Sequence, residues 1–210
     1  MTPPADVLAA LRSLGIDDAR IASLGVYVEV LNRWRQSINL IGPAGIDEIW
    51  RRHVLDSAQL WPHVSDPDAP ILDLGAGAGL PGLILSILGA RRVTLADSDQ
   101  RKAAFLRAAA KACGVTPVVA VGRFDALFKQ RPRNFQMVVG RAVAPLPRLL
   151  PTVAATVSAT GFALLHKGKT HRAELTEAQK SWTMQVEAIP SITADLAVLL
   201  KIWEIDRRDD

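Results

Sequence analysis

Apolar positions along the chain recur first with a helical period and then, from about residue 71, in short unbroken runs. Between Asp17 and Ser37, residues Ile21, Leu24, Val28, Leu31 and Trp34 fall three or four apart. That spacing predicts an amphipathic helix with Asp17 or Asp18 as its cap. A second helix is expected from Asp47 to Leu60, with Ile49, His53, Val54 and Leu60 largely on one side. The turn-rich stretch Asn39–Gly45 joins them, and the proline-rich Pro62–Pro70 is the joint to the rest of the chain. Residues 1–66 thus read as an N-terminal helical cap and 67–210 as the main domain.

Beyond the joint, strand-like and helix-like stretches alternate. Strands are expected at Ile71–Leu74, Val93–Ala96, Val118–Val121, Met137–Val139 and Phe162–Leu165. Helices are expected at Pro81–Leu88, Gln100–Ala112, Leu146–Val157 and Arg172–Ser181. The runs Gln185–Ile189 and Ala197–Ile205 have no helix between them and predict a terminal antiparallel pair. The sum is an α/β chain, with a mostly parallel, doubly wound sheet of seven strands ending in an antiparallel hairpin.

The most informative segment is Ile71–Gly82, where an apolar run ends in Asp73 and then in Gly75, Gly77, Gly79 and Gly82. This is the pattern of a buried strand turning tightly into a helix, with bare backbone N–H groups available to a ligand. Gly77-Ala-Gly79-Leu-Pro-Gly82 satisfies the dinucleotide fingerprint literally. Asp73 pulls away from that reading, because a pyrophosphate would be repelled by a carboxylate so close. S-adenosylmethionine, with a sulfonium, an ammonium and no phosphate, would be welcomed. The next strand ends at Asp97, where an acid accepts hydrogen bonds from ribose hydroxyls, while Asp99 reads as the cap of Gln100–Ala112. Ligands in such sheets lie outside the carboxyl ends of the strands. That rule nominates Gly75–Leu80, Asp97-Ser98, Gly122–Asp125, Gly140–Ala142 and His166–Gly168.

Composition adds limits. With 210 residues, 49% of them apolar, the chain can bury a sizeable core. A net charge of +4 is compatible with a polyanionic partner. The single cysteine, Cys113, fits a reducing compartment. No leader pattern or membrane-length apolar run is read, so a cytoplasmic chain without a membrane partner is expected.

Several further stretches carry a family resemblance: Leu31-Asn-Arg-Trp34 with Asn39-Leu40, Arg52-His-Val-Leu-Asp-Ser57, Asp73–Gly82, Leu95-Ala-Asp-Ser98 with Arg101-Lys102 and Phe105-Leu106, Arg141-Ala142, and Lys167-Gly168. Together the chain resembles the glucose-inhibited division protein B family, also called ribosomal small-subunit methyltransferase G, over most of its length. The Arg-His-x-x-Asp-Ser element is the more specific part; the glycine loop alone would say only methyltransferase. The resemblance implies a class I S-adenosylmethionine-dependent methyltransferase fold. It also implies methyl transfer to N7 of a guanine in 16S ribosomal RNA, in the small subunit or its assembly intermediate.

By that resemblance Gly75 and Leu80 line the cofactor loop, Phe124 and Asp125 meet the adenine end, and Arg141 contacts the cofactor near the transfer site. With the crevice argument, the expected cofactor set is Asp73, Gly75, Gly77, Gly79, Leu80, Asp97, Ser98, Phe124, Asp125 and Arg141. The chain departs from the family pattern at Asp125, where glutamate is usual, at Gly140, where serine is usual, and at His166, where leucine is usual.

Guanine N7 has an in-plane lone pair and no proton to lose, so no general base and no metal is required. Alignment and exclusion of water are the main demands. His53 and Asp56 lie one helical turn apart and are read either as a core histidine with its carboxylate or as a pair over the crevice. His53, Asp56, Arg141 and Lys167 are the candidate positioning residues. Candidates for RNA contact include Arg33 with Arg35, Arg51 with Arg52, Lys129 with Arg131 and Arg133, and Lys167 with Lys169 and Arg172. Of these, Arg52, Lys167, Lys169 and Arg172 are favoured. A monomer is expected. The rival readings are an NAD(P)-dependent oxidoreductase, for which the lone Tyr27 is badly placed, a non-enzymatic RNA- or partner-binding protein, and a small-molecule methyltransferase using the same loop.

Overall fold

The computed structural model describes residues 1–128 and 134–208, with Asp125 described through its backbone alone. The RNA candidates Lys129, Arg131 and Arg133 lie outside the described residues, as does the Asp125 carboxylate expected at the adenine end.

Two helices, α1 (Ala5–Ser13) and α2 (Asp18–Trp34), open the chain. The Asp17 carboxylate accepts the Arg20 N–H at 2.8 Å and so caps α2. The helix expected from Asp47 to Leu60 is not regular. It starts as α3 (Ile46–Ile49), widens into a π-helical segment at Trp50–Leu55, and ends as α4 (Asp56–Ala58). A short 3₁₀ turn, Trp61–His63, precedes the joint.

The sheet then runs as β1 (Ile71–Leu74), α5 (Gly82–Ile87), β2 (Val93–Asp97), α6 (Gln100–Ala112), β3 (Val118–Val121), α7 (Phe124–Leu127), β4 (Phe135–Arg141), α8 (Leu146–Thr156), β5 (Val157–Lys167), α9 (His171–Ala178), β6 (Trp182–Pro190) and β7 (Val198–Arg207). The strand order is β3-β2-β1-β4-β5-β7-β6, with β7 antiparallel to both neighbours and the other pairings parallel. This is the expected doubly wound architecture with its terminal hairpin. Strands β4, β5 and β6 begin two to five residues earlier than expected, and there are two further differences. Strand β5 runs on to Lys167, past its apolar centre, and the four-residue α7 has no counterpart in the sequence pattern.

Ile21, Leu24, Val28 and Leu31 are buried as the helical period requires, and Trp34 packs half-buried beside them. One apolar cluster joins α1, α2, the π-helical segment, α5 and α6 to one face of the sheet; α8 covers the other face. The N-terminal helices therefore share a core with β1 and β2. Helix α1 is also tied to the π-helical segment on the surface, where Arg51 pairs with Asp6 at 2.8 Å. Among the described residues no helix is long and apolar enough to cross a membrane. Strand order reverses at β1, between β2 and β4, and the carboxyl ends there open toward the site.

Candidate active site

The glycine loop between β1 and α5 is built against itself. Gly75, Gly77 and Gly79 take φ of +67°, +54° and +80°, the region where a side chain is strained. A Cβ on Gly82 would lie 2.6 Å from the Asp73 Cβ, so glycine is also needed for the close packing of helix on strand. The loop amides are mostly committed within the chain. Ala76 N–H donates to Ala96 O at 3.0 Å, Gly79 and Leu80 N–H to Ala76 O, and two others to carboxylates. Gly77 N–H donates to Asp97 Oδ2 and Gly82 N–H to Asp73 Oδ2, both at 2.8 Å. The expectation that these amides stand bare for a ligand is corrected by those bonds: the loop's shape, rather than this row of donors, is what it offers.

Asp73 also differs from its expected role. Its carboxyl group is fully buried, one oxygen holds Gly82, and the other has no hydrogen-bond partner. Burial pushes its pKa up to about 8, with Asp97 nearby adding to the rise. Near neutral pH it keeps its proton and acts on the loop from behind, not as an exposed charge facing a ligand. Asp97 is tied by Gly77 N–H and by Asp99 N–H at 2.9 Å. Each of its oxygens keeps a further lone pair, and the residue borders the cleft in front. Asp99 caps α6 through Arg101 N–H at 2.8 Å, as read from the sequence. The one tyrosine props the loop: the buried Tyr27 hydroxyl donates to Ala78 O at 2.7 Å.

A cleft of about 500 Å³ lies in front of the loop, lined by Gly75, Asp97, Ser98, Phe124, Ala142 and Val143, with Lys102, Gly122, Arg123 and Thr152 completing it. Of the expected cofactor set, Gly75, Asp97, Ser98 and Phe124 meet here. Gly79 and Leu80 are buried behind them, and Gly77 reaches the cleft through its bond to Asp97. Val143 had no sequence signal. It packs on the loop so closely that a Cβ on Gly75 would lie 3.0 Å from its Cγ2. Ala142, beside it, takes φ +52°.

A second cleft of about 540 Å³ opens on the far side of Ala142–Val143, which wall both. Its floor is a cluster around Asp56. Arg141 Nε pairs with Asp56 Oδ2 at 3.0 Å, and Arg141 Nη2 donates to Arg52 O at 2.8 Å and meets His53 Nδ1 at 3.0 Å. Asp56 Oδ1 accepts from Gln59 Nε2 at 2.8 Å and from the Thr193 hydroxyl at 2.6 Å. His166 Nε2 donates to Asp56 O at 2.8 Å. Burial, and then the Arg141 charge, lower the His53 pKa to about 4, so its imidazole is neutral and can accept from the guanidinium. Burial likewise lowers that of His166. His53 and Asp56 therefore share Arg141 as a partner rather than pairing with each other. Arg141 belongs to this second cleft; it does not line the first.

Lys167 lines the second cleft, as a crevice residue should, but does not offer its charge outward as expected. Its place in the sequence suggests the rim, with its charge offered to RNA. Strand β5 instead continues through it and turns its side chain inward, 7% exposed, where Nζ donates to Ala144 O and pairs with Glu174 Oε2, both at 2.9 Å. Against the upward push of partial burial, Lys167, the Leu146 N–H and Thr170 hold the Glu174 carboxyl below its usual range. Lys169 and Arg172 are exposed nearby, as is Arg52, which pairs with Glu48 one helical turn away. Arg35 is committed to Asn32 and Ala44 O. Among the described residues no three or more His, Cys, Asp and Glu side chains converge to hold a metal ion.

Comparison with known proteins bears on the family and the fold. The sequence profile of the family described as rRNA small subunit methyltransferase G (GidB) matches residues 20–198. A ribosomal RNA small subunit methyltransferase G from Rhodospirillum rubrum is 42% identical over 187 residues, covering 89% of this chain and 92% of that protein. One from Cereibacter sphaeroides is 37% identical, covering 92% and 95%. Among solved structures, a TehB-like SAM-dependent methyltransferase from Corynebacterium glutamicum superposes with a TM-score of 0.56 at 16% identity, covering 84% of this chain and 97% of that one. The ribosomal protein L11 methylase of Lactobacillus delbrueckii gives 0.58 at 15% identity, covering 75% and 79%. These likenesses show the shared class I methyltransferase fold. By sequence, this chain belongs to the rRNA small subunit methyltransferase G family.

Proposed function

We propose that the chain transfers the methyl group of S-adenosylmethionine to N7 of a guanine in 16S ribosomal RNA of the small subunit. In this reading residues 67–210 form the catalytic domain and residues 1–66 its cap. The observation that carries the reading is the pair of clefts meeting at Ala142–Val143, one beside the glycine loop and one beside Asp56. A donor held in the first can present its reactive carbon across that shared wall to a base held in the second.

The chain's residues fit this donor better than a dinucleotide. A pyrophosphate needs free loop amides. Gly77 N–H is instead taken by the Asp97 carboxylate, which would repel phosphate and attract a cation. When bound, S-adenosylmethionine supplies an electrophilic methyl group. What the chain contributes is alignment and exclusion of water, worth about 7–11 kcal/mol in favourable cases. In this reading the Asp97 carboxylate holds the ribose end and Phe124, lining the same cleft, meets the adenine end. Guanine N7 releases no proton, so the cluster of neutral His53, His166 and the Arg141–Asp56 pair needs to fix shape only.

An NAD(P)-dependent oxidoreductase fits less well, since the lone tyrosine hydroxyl is buried and spent on Ala78 O. A small-molecule methyltransferase has less use for Arg52, which lines the second cleft, and for Lys169 and Arg172, exposed in the segment that follows the cleft residue Gly168; these cations favour a polyanionic substrate. The test incubates small subunits from cells lacking the enzyme with labelled donor and cleaves the RNA chemically at 7-methylguanine. Label at one such guanine is expected. Label on protein or on another base would overturn the proposal.

A further inference from the structure

We infer that Thr193, in the turn between β6 and β7, is a positioning residue that acts through Asp56 on Arg141. The inference rests on the methyl-transfer reading only for its kinetic arm. It begins with the way the Asp56 carboxylate is divided. Oδ2 takes Arg141 Nε, and Oδ1 takes the Thr193 hydroxyl and Gln59 Nε2. The Asp56 side chain is 12% exposed, so water offers little replacement for a lost donor.

Arg141 depends on this orientation. It stands at the end of β4, and Asp56 Oδ2, His53 Nδ1 and Arg52 O reach it from one strip of the cap. If the carboxylate swings, the guanidinium follows it or loses its pair, and Arg141 lines the second cleft next to the Ala142–Val143 wall. The turn itself is riveted to the same strip by side chains. Ile192 N–H donates to Gln59 Oε1 at 3.0 Å, and Gln59 Nε2 reaches Ser191 Oγ at 3.3 Å. Ser191 and Thr193 also line the second cleft, so whatever fills that cleft touches the latch that orients Arg141. Sequence separation makes this a tertiary device: Thr193 and Asp56 are 137 residues apart.

The test compares T193V, which removes the hydroxyl, with T193S, which keeps it, and with R141K and the R141K/T193V pair. Three readouts are taken: the dissociation constant of S-adenosylmethionine by calorimetry, single-turnover methylation of small subunits, and solvent exchange of the Arg141 Nε–H by nitrogen-15 NMR. Losing one hydrogen bond to a charged group should slow T193V about tenfold. The Arg141 Nε–H should exchange faster in T193V, and T193S should recover most of both. Because Thr193 acts through Arg141, R141K/T193V should be no slower than R141K alone.

A T193V protein with unchanged Nε–H exchange and unchanged turnover overturns the inference. So does T193S as slow as T193V, or a loss that simply adds to that of R141K. Should the wild type neither bind the donor nor label subunits, the methyl-transfer reading fails instead. The NMR comparison still decides the role of Thr193.

Discussion

The cleft beside the glycine loop and the cleft beside Asp56 share a wall at Ala142–Val143, yet their surroundings are held in different ways. Around the loop, the carboxylate ties are shorter in sequence, spanning 2 to 20 residues: Asp73 to Gly82, Asp97 to Gly77, and Asp99 to Arg101. They are carboxylate-to-amide bonds that shape backbone. Around Asp56 the ties run from the cap to β4, to β5 and to the β6–β7 turn, and most of them join side chains. The first region is a mould made by one strand–loop–helix stretch and the neighbouring strand, propped by Tyr27 of the cap. The second is an assembly whose parts come from four places, so one substitution there loosens several elements together.

Removing the centre of the assembly should give the largest effect. Asp56→Ala leaves the Arg141 guanidinium, 22% exposed, without its carboxylate and releases Thr193 and Gln59. Breaking a mostly buried pair from one side costs about 3–5 kcal/mol. Urea unfolding of D56A should show a loss of that order, and donor affinity should fall with it. A loss below about 1 kcal/mol, the level of an exposed pair, would mean that the cluster is not an assembly in this sense.

The mould is best probed by pH. The Asp73 pKa is about 8 in the folded chain against an ordinary 3.8. Between those values the native state holds a proton that the unfolded state has lost. By linkage its contribution therefore weakens stability progressively as pH rises from about 4 to 8, and the penalty is complete above that. Asp73→Asn keeps an oxygen for the Gly82 N–H but cannot ionise. The variant's unfolding free energy should lack that decline, and the gap between variant and wild type should widen toward pH 8. Parallel curves for the two proteins would place the buried proton elsewhere.

A smaller effect is expected where the cap meets the mould. Tyr27→Phe removes the donor to Ala78 O and leaves that carbonyl without it inside the protein. The cost is about 1–3 kcal/mol. It should appear in thermal unfolding together with weaker donor binding, since the loop loses its prop. If binding is unaffected, the glycine loop stands without the cap.

The same contrast explains what can be read from residue order. The loop, the caps at Asp17 and Asp99, and the alternation that gives the sheet are local grammar, so the short stretch Ile71–Gly82 is enough to find the first cleft. The Asp56 cluster is visible only as an Arg-His-x-x-Asp-Ser string. Its meaning depends on Arg141, His166 and Thr193, whose approach is set by strand order. The π-helical turn at Trp50–Leu55 is hidden because its apolar positions repeat much as an ordinary helix would. Helix α7 is hidden because four residues carry no period. Lys167 is misleading for a related reason. Pairing of β5 with β4 and β7 carries the strand beyond its apolar residues, and the alternation of faces then turns a lysine inward.

The exposed cations that follow this inward lysine yield the prediction with the smallest effect on folding and the sharpest contrast. Lys169 and Arg172 are exposed, whereas Lys167, two residues from Lys169, is buried against Glu174. Each phosphate that a cation neutralises adds roughly 0.7–0.9 to the slope of log affinity against log salt. The double substitution K169A/R172A should therefore lower the salt slope of small-subunit binding by about 1–2, while unfolding free energy stays within about 0.5 kcal/mol. Lys167→Ala should do the reverse, destabilising the chain because Glu174 loses its buried partner, yet leaving the slope nearly unchanged. An unaltered slope in K169A/R172A would move the RNA contact to another face. A slope that drops only in K167A would mean that the lysine leaves Glu174 for phosphate when the subunit binds.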